Sequence, residues 1–111
     1  SAESLTTARY MAAARYEDAT DIARDRPETA RMILSLAVCE MVHYHFRAAH
    51  RFVPRDKDLL DVLETWDAAL GALVRRFYGA ATIAETLSLA EQIADRTIET
   101  RGFFERGAGR A

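Results

Sequence analysis

The sequence is poor in residues that cross-link a chain or interrupt its helices. It has one cysteine, two prolines and five glycines among 111 residues. The single cysteine, Cys39, excludes an internal disulfide and is typical of a reducing compartment, so we expect a cytoplasmic protein. Both prolines lie between periodic segments, where they mark helix boundaries rather than kinks.

Long apolar runs and a strong charge of one sign are also absent. No apolar run approaches the roughly 20 residues of a membrane helix, and no basic-then-apolar leader is visible, so we expect no membrane association. The 15 basic and 17 acidic residues nearly balance, which makes duplex nucleic acid an unexpected partner. The length suits one domain over residues 1–111, and a start at Ser1 rather than methionine predicts an excised piece of a longer protein.

Helical periodicity dominates the sequence, and no segment shows strand-like alternation. The fold class predicted is all-α, a single up-and-down bundle of about four helices. The boundaries of the helices are predicted from four local signals. They are a serine N-cap, a proline in a first turn, a proline that ends a helix, and a threonine-to-glutamate capping box. The predicted helices run from about Ser4 to Arg24, Pro27 to about Arg51, about Asp58 to Phe77, and Thr82 to near Gly102. The tail, residues 103–111, is predicted to be weakly ordered.

The second predicted helix is apolar over much of its circumference, which is typical of a central helix. One side carries Met32, Cys39, Val42, Phe46 and Ala49, and a neighbouring side carries Leu34, Val38, Met41 and Phe52. Cys39 is therefore expected in the core. In the third helix, apolar residues recur at spacings of three and four, which predicts a seam packed against the central helix. They are Leu60, Leu63, Trp66, Leu70, Leu73 and Phe77.

Polar residues form one stripe on the central helix: Glu40, His43, Arg47 and His50. One interpretation is a ligand-facing wall, in which Arg47 binds an anion and His43 or Glu40 handles protons. The other is that Glu40 pairs with Arg47 or another cation across the bundle while the histidines are solvated. Glu40-x-x-His43 is half of a di-metal motif, but without a second copy it predicts no metal site. No nucleophile motif or glycine-rich phosphate loop is present, so we assign no catalytic residue.

One arrangement of segments resembles a known family. Ala30 to Ala37 is followed by the loop Pro54–Asp58, a helix, and Phe77-Tyr78-Gly79. This order resembles the C-terminal, HEPN-like helical domain of aminoglycoside-type nucleotidyltransferases. In that family the catalytic carboxylates and metal ions belong to the preceding domain, and the helical domain closes the cleft.

The resemblance implies ATP with Mg²⁺ as cofactor, an N-terminal nucleotidyltransferase domain in cis as partner, and a small-molecule substrate. Lys57 is implied to contact the nucleotide phosphates and Tyr78 to contribute to the same site. The candidate substrate-binding residues, Glu40, His43 and Arg47, come from the polar stripe and not from the resemblance. A straight helix would hold Lys57 and Tyr78 about 30 Å apart, so either the helix breaks, around Gly71, or one of these roles is wrong. Ribonuclease activity, found in other HEPN proteins with an arginine four to six residues before a histidine, is not expected here.

Two functions are therefore predicted. The leading one is an accessory domain that completes the active site of a nucleotidyltransferase. The alternative is a helical interaction or homodimerisation module whose polar stripe meets a partner protein.

Overall fold

A computed structural model describes residues 1–99, and this part of the chain forms five α-helices and no β-strand. They are α1 (Ala2–Ile22), α2 (Pro27–Ala48), α3 (Asp56–Trp66), α4 (Ala68–Gly79) and α5 (Ile83–Arg96). The all-α prediction is confirmed, but the predicted third helix is two separate helices. Among the described helices, none combines the length and the apolar character that crossing a bilayer requires.

Two predicted helix starts are confirmed by their caps. Pro27 is the first residue of α2, where its missing amide hydrogen costs no hydrogen bond. At α5, the Thr82 hydroxyl accepts the amide hydrogen of Glu85 at 3.2 Å, as the capping-box spacing predicts. The predicted start of α1 at Ser4 is wrong, because Ser1 is the cap and its hydroxyl accepts from the amide of Ser4 at 3.1 Å.

The end of α2 also differs from the prediction. His50 has a left-handed backbone, with φ of 57°, and its amide donates to the Arg47 carbonyl at 3.0 Å. The Arg51 amide donates to the Phe46 carbonyl at 2.9 Å, which completes a Schellman-type turn. This turn satisfies the last carbonyls and ends the helix at Ala48, before Pro54 can act and earlier than the predicted Arg51.

The first two helices form an antiparallel hairpin. Ser4 of α1 contacts Arg47 of α2, whereas Arg15 contacts Glu40, so the chain directions oppose. Ala12, Ala13 and Ala19 are fully buried along α1, and their small side chains permit a close approach of the helices. The first half of α1 is also tied to the segment just after α5, because Arg9 Nε donates to the Ile98 carbonyl at 2.8 Å.

Asp67 alone separates α3 from α4, and we call this break the Asp67 elbow. Its backbone is not helical, with φ of −132° and ψ of 83°, and its carboxylate caps α4 by accepting the Leu70 amide hydrogen at 3.2 Å. The break expected near Gly71 is therefore wrong in position. Gly71 lies inside α4 and is buried against Glu64, where a Cβ atom would come within 2.7 Å of the Glu64 Cα.

The core lies around α2, as predicted. Its buried apolar residues are Ala30, Leu34, Ala37, Val38, Met41, Val42 and Phe46. From the predicted seam, Leu63, Leu70 and Phe77 are buried, and Leu60, Trp66 and Leu73 pack against them partly exposed.

Four residues predicted for the apolar sides of α2 are instead exposed: Met32, Cys39, Ala49 and Phe52. Met32 lies on an outward-facing stripe of α2, and Cys39 lies farther along that stripe, where Tyr78 of α4 reaches it. Ala49 and Phe52 lie beyond the end of α2. At the other end, α5 stops at Arg96, earlier than predicted. The predicted weak tail, residues 103–111, falls outside the described residues.

Candidate functional site

The polar stripe of α2 faces the seam with α1. Arg15 of α1 donates from Nε to the Glu40 carboxylate at 2.6 Å, and both side chains are about one-third exposed, at 37% and 33%. Glu40 therefore meets a cation across the hairpin, which is the arrangement that the second sequence-based interpretation anticipates, with Arg15 as the cation. An ion pair this exposed contributes little to stability.

Arg47 and His43 lie on the same side of α2 but in different surroundings. Arg47 donates from Nη2 to the Ser4 hydroxyl at 2.8 Å and lines a surface concavity of about 340 Å³ together with His50. His43 is half-buried between Glu40 and Arg47 along the helix. The structure therefore keeps the three predicted substrate residues on one face, but it joins Glu40 to α1 and leaves Arg47 at an opening.

A second concavity, of about 180 Å³, lies between α2, α3 and α4. We call it the apolar groove, and it is lined by Cys39, Val42, Asp56, Leu59, Leu60, Leu63, Val74 and Tyr78. The Asp67 elbow creates it, because α3 folds back beside α4 and brings the start of one helix near the end of the other. Lys57 follows Asp56 directly and is exposed at the start of α3.

The Tyr78 hydroxyl is already engaged with α2. It donates to the Ser35 carbonyl at 2.8 Å, and since it has only one hydrogen, the Cys39 thiol is the donor in their 3.2 Å contact. Burial, reinforced by the neighbouring thiol, raises the pKa of Tyr78 above its usual value. Tyr78 therefore stays a neutral phenol at physiological pH, although the residue as a whole is about half exposed.

Sequence reasoning missed a cluster at the Asp67 elbow. His45 Nε2 lies 2.9 Å from Asp67 Oδ2, and its ring stacks on Trp66 with centroids 4.9 Å apart. The Arg51 guanidinium lies 4.4 Å from the centroid of the same indole. Partial burial acts to raise the pKa of Asp67, but the hydrogen bonds from His45 and the Leu70 amide, together with the charges of His45 and Arg96, outweigh it and lower the pKa.

The helix break at Asp67, but not the cluster around it, could have been suspected from residue types alone. An aspartate that precedes Ala-Ala-Leu is a good N-cap, and this signal marks the start of α4. Its histidine partner on α2 is 22 positions away in sequence, and no local pattern predicts such a pairing. The cluster holds no Ser, Cys or Thr nucleophile, and its contacts explain how α3 and α4 are fixed to α2.

No protein-family model, curated protein or solved structure matches this chain. The side chains around Lys57 and Tyr78 determine which part of ATP each residue could contact. Lys57 is an exposed cation in the first turn of α3, where the helix dipole also favours an anion. Tyr78 has committed its hydrogen to Ser35, and the groove beside it is walled mainly by leucine and valine.

Lys57 is flanked in the first turn of α3 by Asp56 and by Asp58, which pairs with Arg55, so a phosphate there would meet charges of both signs. The apolar groove with Tyr78 suits an apolar or aromatic part of a ligand better than a phosphate. Within residues 1–99, no three or more His, Cys, Asp or Glu side chains are grouped so that they could hold a metal ion. Mg²⁺ bound with ATP would need protein ligands from outside residues 1–99.

Proposed function

We propose that the chain is the accessory helical domain of an ATP-using nucleotidyltransferase. It closes the cleft of a catalytic domain in cis and helps to bind the nucleotide and the small-molecule substrate. In this proposal the phosphates meet Lys57, the flat or apolar part of the nucleotide lies against the apolar groove and Tyr78, and Mg²⁺ and the catalytic carboxylates come from the other domain.

The observation that supports this function is the Asp67 elbow. Without a break, the residues from Lys57 to Tyr78 would form a helix about 30 Å long, and one nucleotide could not touch both. With the elbow, Asp56 and Tyr78 line the same groove, and Lys57 is the next residue after Asp56. The elbow supports the proposal because it brings the start of α3, where Lys57 lies, near Tyr78 at the end of α4.

The test is calorimetric titration of ATP into the intact protein. Lys57→Ala should weaken ATP binding by about 1.5–3 kcal/mol, because it removes one charge-assisted contact to phosphate. Lys57 is the only lysine in the sequence, and Arg24→Ala, at an exposed position beyond the end of α1, is the matched loss of one positive charge. A Lys57→Ala protein that folds normally and binds ATP as wild type does would remove the nucleotide-binding role.

Tyr78→Phe separates the ring from its hydroxyl in the same titration. Because the hydroxyl bonds to Ser35 and Cys39, its loss should lower stability and leave ATP affinity nearly unchanged. A large loss of affinity without a loss of stability would instead place the hydroxyl against the nucleotide.

A homodimerisation module is the second candidate, and a different observation favours it. Met32 is 68% exposed and Leu36 is 51% exposed. They lie one turn apart on α2, and the exposed Cys39 continues the stripe to Tyr78. Because the polar stripe already pairs with α1 at Glu40, this apolar stripe is the better surface for a second copy of the chain.

A further inference from the structure

The apolar groove has one charged side chain among its described lining residues, that of Asp56 at the start of α3. Leucine and valine side chains, the Cys39 thiol and the Tyr78 ring form the rest of the wall. The hydrogens of both polar groups in that wall are already committed, since the thiol donates to the Tyr78 hydroxyl and the hydroxyl donates to Ser35. Within the described lining, Asp56 is therefore the group that can form a charge-assisted hydrogen bond with a ligand in the groove.

The Asp56 carboxylate has no partner within residues 1–99. None of the hydrogen bonds or ion pairs in this part of the chain includes its side chain, although a cation precedes it and another follows it in sequence. Arg55 pairs with Asp58 instead. Because the start of a helix favours a negative side chain, Asp56 is an ionised acceptor at the rim of an apolar surface.

The shape and chemistry of the groove suit a flat ring with a donor on its edge. Aliphatic side chains from α2, α3 and α4 line the groove, and covering them with the faces of an apolar ring is favourable in proportion to the area buried. A carboxylate oxygen only accepts hydrogen bonds, so the ring edge that meets Asp56 has to donate. An edge with only carbonyl oxygens or ring nitrogens would direct its lone pairs at the carboxylate.

Nucleobases differ in this property. Adenine and guanine each carry an exocyclic amino group, which donates, whereas uracil carries none and presents carbonyl oxygens beside its ring N–H. An amino group against Asp56 would also leave Lys57, the next residue on α3, for the phosphates. The opposite charges at the start of α3 would then serve two different parts of one nucleotide.

We propose that the apolar groove selects a nucleotide whose base carries an amino group, as adenine does, and that Asp56 accepts a hydrogen bond from that group. The inference rests on the nucleotidyltransferase proposal, because it concerns the base of the nucleotide that this proposal places in the groove. Asp56 is a specificity-determining residue in this arrangement. It has no part in the chemistry, which belongs to the catalytic domain.

The test compares ATP with purine riboside triphosphate, which is ATP without its amino group. Both are titrated calorimetrically into the intact protein with Mg²⁺ present throughout. Wild type should bind ATP about tenfold more tightly, because one hydrogen bond to a charged acceptor is lost with the amino group. Asp56→Ala should bring the ratio of the two affinities close to one. The ratio is the measured quantity because both ligands carry the same phosphates, so removing a carboxylate near them changes both affinities alike.

Two control variants accompany Asp56→Ala. Asp25→Ala removes an exposed carboxylate in the turn between α1 and α2 and should keep the tenfold ratio. Lys57→Ala should weaken both ligands equally, since it acts on the phosphates. Asp56 is exposed, so its replacement should leave a folded protein, which a melting curve checks.

The outcomes separate this inference from the function on which it rests. A wild-type protein that binds ATP through Lys57 but binds purine riboside triphosphate or UTP equally well would overturn the role of Asp56 alone. An Asp56→Ala protein that keeps the tenfold preference would do the same. If wild type binds none of these nucleotides, the nucleotidyltransferase proposal fails together with the inference.

Discussion

Gly71 is the residue at which packing most clearly overrides helix propensity. Glycine is unfavourable inside a helix by about 1 kcal/mol relative to alanine, and for this reason the sequence suggested a break there. In the structure the residue lies inside α4, and a Cβ atom would sit 2.6 Å from the Glu64 Cγ and 2.7 Å from its Cα. A backbone atom cannot move aside alone, so the close approach of α3 and α4 requires glycine.

Gly71→Ala should therefore destabilise the protein by about 1–3 kcal/mol, the usual cost of overpacking, despite the gain in helix propensity. Urea denaturation measures the change. Gly79→Ala is the matched control, because nothing lies within 4 Å of a Cβ there, and it should be neutral or slightly stabilising. A Gly71→Ala protein as stable as the Gly79→Ala protein would mean that α3 and α4 are not in close contact in solution.

At the Asp67 elbow, one side chain contacts both α4 and α2 and so fixes their relative positions. One carboxylate oxygen caps α4 at Leu70, and the other holds His45 of α2 at 2.9 Å. Trp66 fills the inside of the bend against Phe46, with ring centroids 4.8 Å apart. The elbow is thus fixed to the central helix from two adjacent positions, which keeps the apolar groove in shape.

The elbow should make stability depend on pH in the acid range. The pKa of Asp67 is lowered in the folded protein, so its contribution is fully present above the usual aspartate pKa and is lost as the pH falls through the folded value. At about pH 6, Asp67→Asn should be about 0.5–1.5 kcal/mol less stable than wild type, because asparagine still caps α4 but cannot offer a carboxylate to His45. Below about pH 4 the difference should shrink as Asp67 is protonated.

Melting temperatures of both proteins across this pH range measure the effect. Asp21→Asn, at an exposed position near the end of α1, provides a comparison for the loss of one carboxylate elsewhere. A constant difference between wild type and Asp67→Asn from about pH 6 to pH 3 would show that the Asp67 charge does not contribute through this contact.

At the scale of helices, the sequence predicted what local chemistry determines. The capping box at Thr82 and the first-turn Pro27 are short-range signals, and both helix starts are where they indicate. The elbow was missed because leucines continue at spacings of three and four across Asp67, so periodicity shows no interruption. The stop after Ala48 was missed because His50, rather than glycine, takes the left-handed position.

At the scale of the molecule, the all-α class and the central helix were predictable because periodicity and overall apolarity reveal them. Which apolar stripe of α2 remains exposed was not predictable from a helix that is apolar over much of its circumference. Cys39 was expected in the core for this reason, yet it is exposed beside Tyr78. The predicted site residues show the same limit, since the stripe of Glu40 and Arg47 was identified from spacing but the partners Arg15 and Ser4 come from another helix.

The five helices form a thin molecule, 37 × 36 × 19 Å across its Cα atoms. A thin arrangement buries less of each helix than a closed bundle of the same length, which accounts for the exposed stripe of Met32, Leu36 and Cys39. The broad face exceeds the roughly 800 Å² per partner that a standard interface buries. The net charge of −2 is small, so repulsion between two copies is weak.

If the second candidate function holds, wild type should be a dimer at about 100 μM, because standard-sized interfaces reach at least micromolar affinity. Leu36→Asp should yield a folded monomer, since a buried unpaired carboxylate in the interface would cost several kcal/mol. Val62→Asp on α3 is the matched control: Val62 is 37% exposed, and its substitution should leave the dimer intact. Sedimentation velocity over a concentration series distinguishes the two states. A wild-type monomer at 100 μM, or a Leu36→Asp protein that still dimerises, would exclude this face as the interface between copies.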